Sequence, residues 1–279
     1  MSNKKDIATV TLKVKEKKNI TPNFIRIILT GEAEDIEVYK DSPIGVNNKI
    51  YVPPVGATSI EFPEFDFENG KWILPPKEVC PAIRTYTHRG IDLEKKELII
   101  DFAAHGEEGP ASTWAINAKP GDLLGVSMHT LPKELYPEAD WYLLVGDATA
   151  IPVLAVILET LPKTAKGVAI IEVHGKEDEQ ELFTKADIEF HWIHNPNPQK
   201  GSNLAEITRR VKIPAKETTS RFGYVAAEFS TIKGIRHYLR KELEWTKEEL
   251  YAYSYWKAGV SEDGSVADRH NEREDFDKN

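Results

Sequence analysis

Within six residues, Arg84-Thr85-Tyr86-Thr87-His88-Arg89, the chain carries two guanidinium groups, a planar tyrosine ring and two threonine hydroxyls. In an extended strand alternate side chains share a face, so Arg84, Tyr86 and His88 point one way and Thr85, Thr87 and Arg89 the other. That mixture makes a poor core strand. It suits a flat, electron-poor ring bearing a pyrophosphate, which needs an aromatic to stack on, a hydroxyl for a ring edge and fixed guanidinium donors for the phosphates. An edge strand with a snorkelling arginine and a half-buried tyrosine would use the same residues, so their surroundings decide.

A second group lies downstream. In Gly109-Pro110-Ala111-Ser112 the glycine allows a tight turn and the proline suits a first helical turn. The small residues let backbone N–H groups approach an anion, for which a helix start is a ready site. A third group is Gly146-Asp147, which directly follows the apolar run Trp141-Tyr142-Leu143-Leu144-Val145. Such a run marks a parallel strand buried on both faces, and open α/β sheets bind ligands at the carboxyl ends of such strands.

The elements that position these groups fall into two blocks. Residues 7–16, 23–30, 48–53, 83–89 and 97–104 alternate or are β-branched and are separated by turn residues, the pattern of a barrel or sandwich of short strands. After residue 140 the period changes. Ile151, Leu154, Leu158 and Leu161 line one helix face, with Pro152 tolerated in the first turn. Strands are predicted at 167–173, 188–193 and 221–227, and helices near 203–211 and 231–243. This alternation predicts a doubly wound α/β domain. The expected organisation is a β domain over 1–135, an α/β domain over 136–259 and a polar, flexible tail over 260–279, with the linker in 131–140.

Composition narrows the chemistry. A chain of 279 residues suits two cores, and 41% hydrophobic residues with six tryptophans support packed interiors. With 45 acidic against 36 basic side chains the net charge is −9, which argues against nucleic-acid and anionic-membrane partners. The single cysteine, Cys80, excludes an intrachain disulfide, a CxxC redox pair and a cysteine-ligated iron–sulfur cluster, so redox chemistry requires a bound organic cofactor. No apolar leader and no run of about 18 apolar residues is present, and the expected location is the cytoplasm. His191 and His194 are three apart on a predicted strand and face opposite sides, so no metal site is expected. GxSxG, HExxH and P-loop lysine motifs are absent.

A β-barrel followed by a parallel α/β domain resembles the ferredoxin-reductase-like flavoproteins. Arg84-Thr85-Tyr86-Thr87 resembles their flavin motif. The stretch from His105-Gly106-Glu107-Glu108-Gly109-Pro110 to Trp114 is similar to the phosphate-binding stretch of one branch, the siderophore-interacting proteins. Gly146-Asp147-Ala148-Thr149-Ala150-Ile151-Pro152 and Tyr255-Trp256-Lys257-Ala258-Gly259 resemble two further motifs of that branch. The four motifs occur in the family's order over roughly residues 45–260.

The resemblance implies a six-stranded antiparallel barrel for FAD and an α/β domain for a nicotinamide. It places Arg84, Arg89, Ala111 and Ser112 at the FAD pyrophosphate, Tyr86 beside the isoalloxazine and Thr87 at its edge. Thr85, His105, Gly109 and Trp114 line the same cofactor, and Gly146, Asp147 and Thr149 the nucleotide side. Lys49 and Lys257 match basic positions that attract an anionic ferric siderophore, and His129 stands where the family has a Gly-Pro-Arg segment. Ala148 departs from the family's acidic residue. The loop His174-Gly175-Lys176-Glu177-Asp178-Glu179 is acidic, so NADH, or a ferredoxin, fits better than NADPH. The implied activity is reduction of ferric siderophores by a monomer. A general flavin or ferredoxin-type reductase and a non-catalytic siderophore binder are the alternatives.

Overall fold

The computed structural model describes residues 6–66, 68–104, 109–260 and 264. The chain divides into two compact units, Met1–Glu134 and Leu135–Asn279. The barrel expectation is met in the first by a seven-stranded antiparallel half-barrel. Its strands are β1 (Ile7–Thr21), β2 (Phe24–Thr30), β3 (Asn47–Val52), β6 (Ala82–Thr87), β7 (Gly90–Asp92), β8 (Glu97–Ala103) and β9 (Leu123–His129), in the order β6-β3-β9-β1-β2-β8-β7. The three-residue rim strand β7 supplements the six expected. β4 (Glu64–Asp66) and β5 (Lys71–Ile73) form a separate hairpin.

β1 is long enough to serve two neighbours. Its first half pairs with β9 from Ile7↔His129 to Lys13↔Leu123, and its second with β2 from Lys13↔Thr30. An irregularity at Val14/Glu16 bends the strand near the change of partner, as bulges do, and a second lies at Asn19/Thr21. Inward residues of the alternating strands, among them Leu12, Ile27, Leu29, Ile50, Leu98, Ile100, Leu124 and Val126, meet in one core. Two short helices belong to this unit, α1 (Ala33–Glu37) and α2 (Pro110–Asn117). The second buries Ala111 and Ala115 in that core, where small side chains let its backbone lie close to the sheet.

The second unit is a five-stranded parallel sheet ordered β12-β11-β10-β13-β14. Its strands are β10 (Trp141–Asp147), β11 (Lys166–Val173), β12 (Asp187–His194), β13 (Arg221–Glu228) and β14 (Leu250–Trp256). Helix α3 (Ile151–Thr160) is buried from Ile151 through Leu158, which explains its nearly all-apolar sequence. α4 (Leu204–Thr208) and α5 (Phe229–His237) contribute Leu204, Ile232 and Ile235 to a core with Leu143, Val145, Ile170 and Val225. The chain then runs through a π turn, Tyr238–Glu242, to Trp245, whose indole lies under the Arg221 guanidinium at 4.6 Å.

Gly146 is dictated by packing. A Cβ there would lie 2.5 Å from Ala150 Cβ and 2.9 Å from the Ala226 carbonyl, so the turn after β10 closes against β13 only because the side chain is missing.

Candidate functional site

In the first unit, β6 carries the motif and β3 fixes its faces. Tyr86 stands opposite Asn48, Arg84 opposite Ile50, Thr87 opposite Asn47 and Thr85 opposite Lys49. Residues opposite each other share a face. Tyr86 therefore lies on the side of the core and Thr85 on the other, where Lys49 Nζ donates to Thr85 Oγ1 at 2.5 Å. Ser127 also pairs with Lys49, and His129 follows two residues later on β9, so Lys49, Thr85 and His129 lie on one face.

Tyr86 rests against Phe102 of β8, with centroids 4.5 Å apart and rings inclined by 42°. Phe102 in turn meets Trp114 of α2 at 5.7 Å. This aromatic file links the strand motif to helix α2. Gly109, immediately before α2, has φ +105°, a left-handed region that favours glycine, and brings no side chain to cap the helix. A Cβ there would meet nothing within 4 Å. An open glycine at a helix start, followed by the small residues Ala111 and Ser112, fits a pyrophosphate. A tyrosine packed on a deeper ring fits one face of a flavin. The residues present therefore fit FAD. His105 lies outside the described residues.

Arg84 Nη1 donates to the Ile83 carbonyl at 2.7 Å. Arg89 is drawn to Asp101, Nε lying 3.6 Å from Oδ2, and Asp101 is also gripped by Arg26 in a two-pronged pair at 2.7 and 2.8 Å. Asp101 and Phe102 escaped the sequence reading. Their signal is present in retrospect: an acidic residue in the middle of the apolar strand Leu98-Ile99-Ile100-Asp101-Phe102 demands a buried cationic partner. His88 is fully buried; its Nδ1 faces the Pro43 carbonyl at 3.1 Å, and burial pushes its pKa down.

In the second unit the Gly146-Asp147 turn and the Tyr255-Trp256-Lys257-Ala258 segment meet. Asp147 Oδ1 accepts from Thr149 N at 2.9 Å and from Thr149 Oγ1 at 2.5 Å, and Oδ2 accepts from Trp256 Nε1 at 2.8 Å. The Tyr255 and Tyr224 hydroxyls are 3.3 Å apart, and burial raises both pKa values. Lys257 Nζ lies over the Phe229 ring, 4.9 Å from its centroid. Of the acidic loop, Asp178 is buried and Glu179 binds His194 Nε2 at 2.7 Å, while His191 pairs with Glu189.

A half-barrel fit for a flavin and a parallel α/β unit define a ferredoxin-reductase-like flavoprotein. The FAD/NAD-binding domain of nitric oxide dioxygenase from Vibrio cholerae shares the fold at TM-score 0.60 and 14% identity, over 88% of this chain and 98% of that one. Two family models match, the siderophore-interacting FAD-binding domain over residues 13–129 and the siderophore-interacting protein over 139–259. The chain belongs to the siderophore-interacting protein family, and its cofactor is FAD. It is 31% identical to the ferric vibriobactin reductase ViuB of Vibrio cholerae, over 91% of each chain. The siderophore-interacting protein SipS of Aeromonas hydrophila superposes with TM-score 0.77 at 29% identity, covering 95% of this chain and 98% of that one. A siderophore utilization protein from T. fusca gives 0.75 at 29%, covering 92% and 95%.

Proposed function

We propose that this chain reduces ferric siderophores to the ferrous form with FAD, so that the weakly held ferrous ion leaves its chelator. The observation that carries this reading is the joining, in one unit of a siderophore-interacting protein, of the open helix start at Gly109 to Tyr86 through Phe102 and Trp114. Bound FAD supplies a ring that accepts an electron pair and delivers electrons singly to iron. Arg84 and the first-turn amides at Ala111 and Ser112 hold the pyrophosphate, with Gly109 keeping the approach open. Tyr86 flanks the ring and Thr87 hydrogen-bonds its edge. Arg89, anchored on Asp101, steadies the end of β6 beside the phosphates.

Lys49, held by Thr85, gives the face it shares with His129 local positive character, which suits an anionic chelate on a chain of net negative charge. Lys257, in the second unit, is a further cation for an anionic chelate. No side chain acts as a nucleophile: the protein binds, orients and attracts. Gly146, Asp147 and Thr149 shape the donor side, and the donor is NADH or a ferredoxin. The protein works as a monomer in the cytoplasm, away from membranes; no helix among the described residues is long and apolar enough to cross one.

The test is anaerobic. Protein whose FAD has been reduced with dithionite is mixed with ferric catecholate and hydroxamate siderophores, and flavin absorbance and ferrous ion captured by a ferrous-selective dye are followed. Flavin reoxidation with matching ferrous release is expected; a flavin that stays reduced with every chelate overturns the reading. Lys49→Ala with Lys257→Ala slows reaction with the siderophores while leaving reaction with a neutral redox dye unchanged. Equal rates with siderophore in both proteins would remove the substrate assignment.

A further inference from the structure

The helix starts of the two units are furnished in opposite ways. α2 begins at a glycine with no side chain to offer. In the second unit the corresponding places already hold carboxylates. Asp147 takes the Thr149 amide after β10. At the start of α5, Glu228 Oε2 accepts from Ser230 N at 2.6 Å and Thr231 N at 3.3 Å, while Oε1 accepts from Ala258 N at 3.2 Å. A third carboxylate, Glu172, is the direct neighbour of Asp147 on β11 and accepts from Ser202 Oγ at 2.6 Å.

β11, β10 and β13 are adjacent, so Glu172, Asp147 and Glu228 occupy the carboxyl ends of three consecutive strands, and all are buried. An open α/β sheet receives a dinucleotide at this edge, with the pyrophosphate on helix-start amides. Here those amides are bonded to the protein's own acids. Each acid also repels an incoming phosphate at close range in a poorly solvated place. The nearby cation, Lys257, is held over Phe229.

We propose that Glu228, with Asp147 and Glu172, is a donor-selectivity element that keeps the pyrophosphate of pyridine dinucleotides off the carboxyl edge of the α/β sheet. The second unit therefore binds such dinucleotides weakly, whichever of them carries electrons. The inference rests on the reductase reading, because it concerns how that enzyme is supplied with electrons.

Calorimetric titration of the FAD-loaded protein with ADP-ribose, which has the pyrophosphate but no reactive nicotinamide, tests it. The wild type should not saturate below about 1 mM. Glu228→Gln keeps an oxygen to cap Ser230 and Thr231 but removes the charge, and should tighten binding at least about tenfold. Glu172→Gln, which leaves the amide bonds of Asp147 and Glu228 untouched, should shift affinity in the same direction and serves if the first variant folds poorly. Micromolar binding by the wild type, or equal affinity in wild type and both variants, overturns the proposal. The ferric-siderophore reaction of dithionite-reduced protein needs no dinucleotide, so a failure of that reaction condemns the reductase reading separately.

Discussion

Asp101→Asn is the most exacting test of how β6, the strand proposed to hold the flavin, is braced. The carboxylate is 2% exposed and meets Arg26 in register across β2 and β8, at 2.7 and 2.8 Å, with Arg89 Nε 3.6 Å from Oδ2. Removing one partner of a buried ion pair costs about 3–5 kcal/mol, because the remaining charge is left desolvated. The Arg26 side chain keeps 27% of its surface, so water recovers part of that loss and the low end applies, about 3 kcal/mol. At about 1.4 kcal/mol per decade, this lowers the folding equilibrium constant roughly 100-fold. Against a total of about 5–15 kcal/mol for a typical domain, the loss is large. Urea unfolding of the full chain at fixed FAD concentration, followed by circular dichroism, should show a lower midpoint at nearly unchanged slope. A loss below about 1 kcal/mol, the range of exposed pairs, would show that Asp101 is effectively solvated and that its grip on Arg89 does not brace the strand.

Three further outcomes are expected. Tyr86→Ala with Arg84→Ala should yield a folded protein that purifies colourless, since losing an aromatic stacking partner alone costs about 1–3 kcal/mol in related ring-stacking sites; full FAD retention would remove the clamp. Gly146→Ala should cost about 1–3 kcal/mol in urea unfolding, because its Cβ meets Ala150 Cβ at 2.5 Å and the Ala226 carbonyl at 2.9 Å; a neutral substitution would mean that the turn can open. The His88 pKa is lowered by burial, so the unfolded chain takes up a proton that the native protein refuses. Its contribution to stability is present above about pH 6.5 and is lost as pH falls from there toward the folded value, and His88→Gln should flatten this part of the stability–pH curve.

The two blocks of secondary structure were legible because each is locally consistent: alternation marks β1 and β8, and the uniformly apolar β10 can only be a central parallel strand. β14 carries a strand signal in the alternating tyrosines Tyr251, Tyr253 and Tyr255, of which only Tyr255 lies within a motif. β9, with its central Gly125, and the short β4–β5 hairpin gave too little pattern to register. The candidate site divides similarly. Residues within one motif, such as Tyr86 or Gly109, carry their chemistry on their face. The bond from Trp256 to Asp147 spans 109 positions and the Tyr86–Phe102–Trp114 file crosses three elements, and spacing along the chain holds no trace of either.

The position of β14 bears on how the protein is made. The half-barrel has all its strands once His129 has been synthesised, whereas the parallel sheet lacks an edge until residues 250–256 pair with β13. Those residues also deliver the indole that satisfies Asp147, and Ala258 follows with the amide that binds Glu228. At about 5–20 residues per second, the interval between the two events is roughly 6–25 s. In its last part, while residues 229–256 are made, the nascent second unit presents β13 as an open edge beside carboxylates missing a donor, so the two units reach completion at very different times. A chain truncated before Leu250 would keep that vulnerable edge permanently.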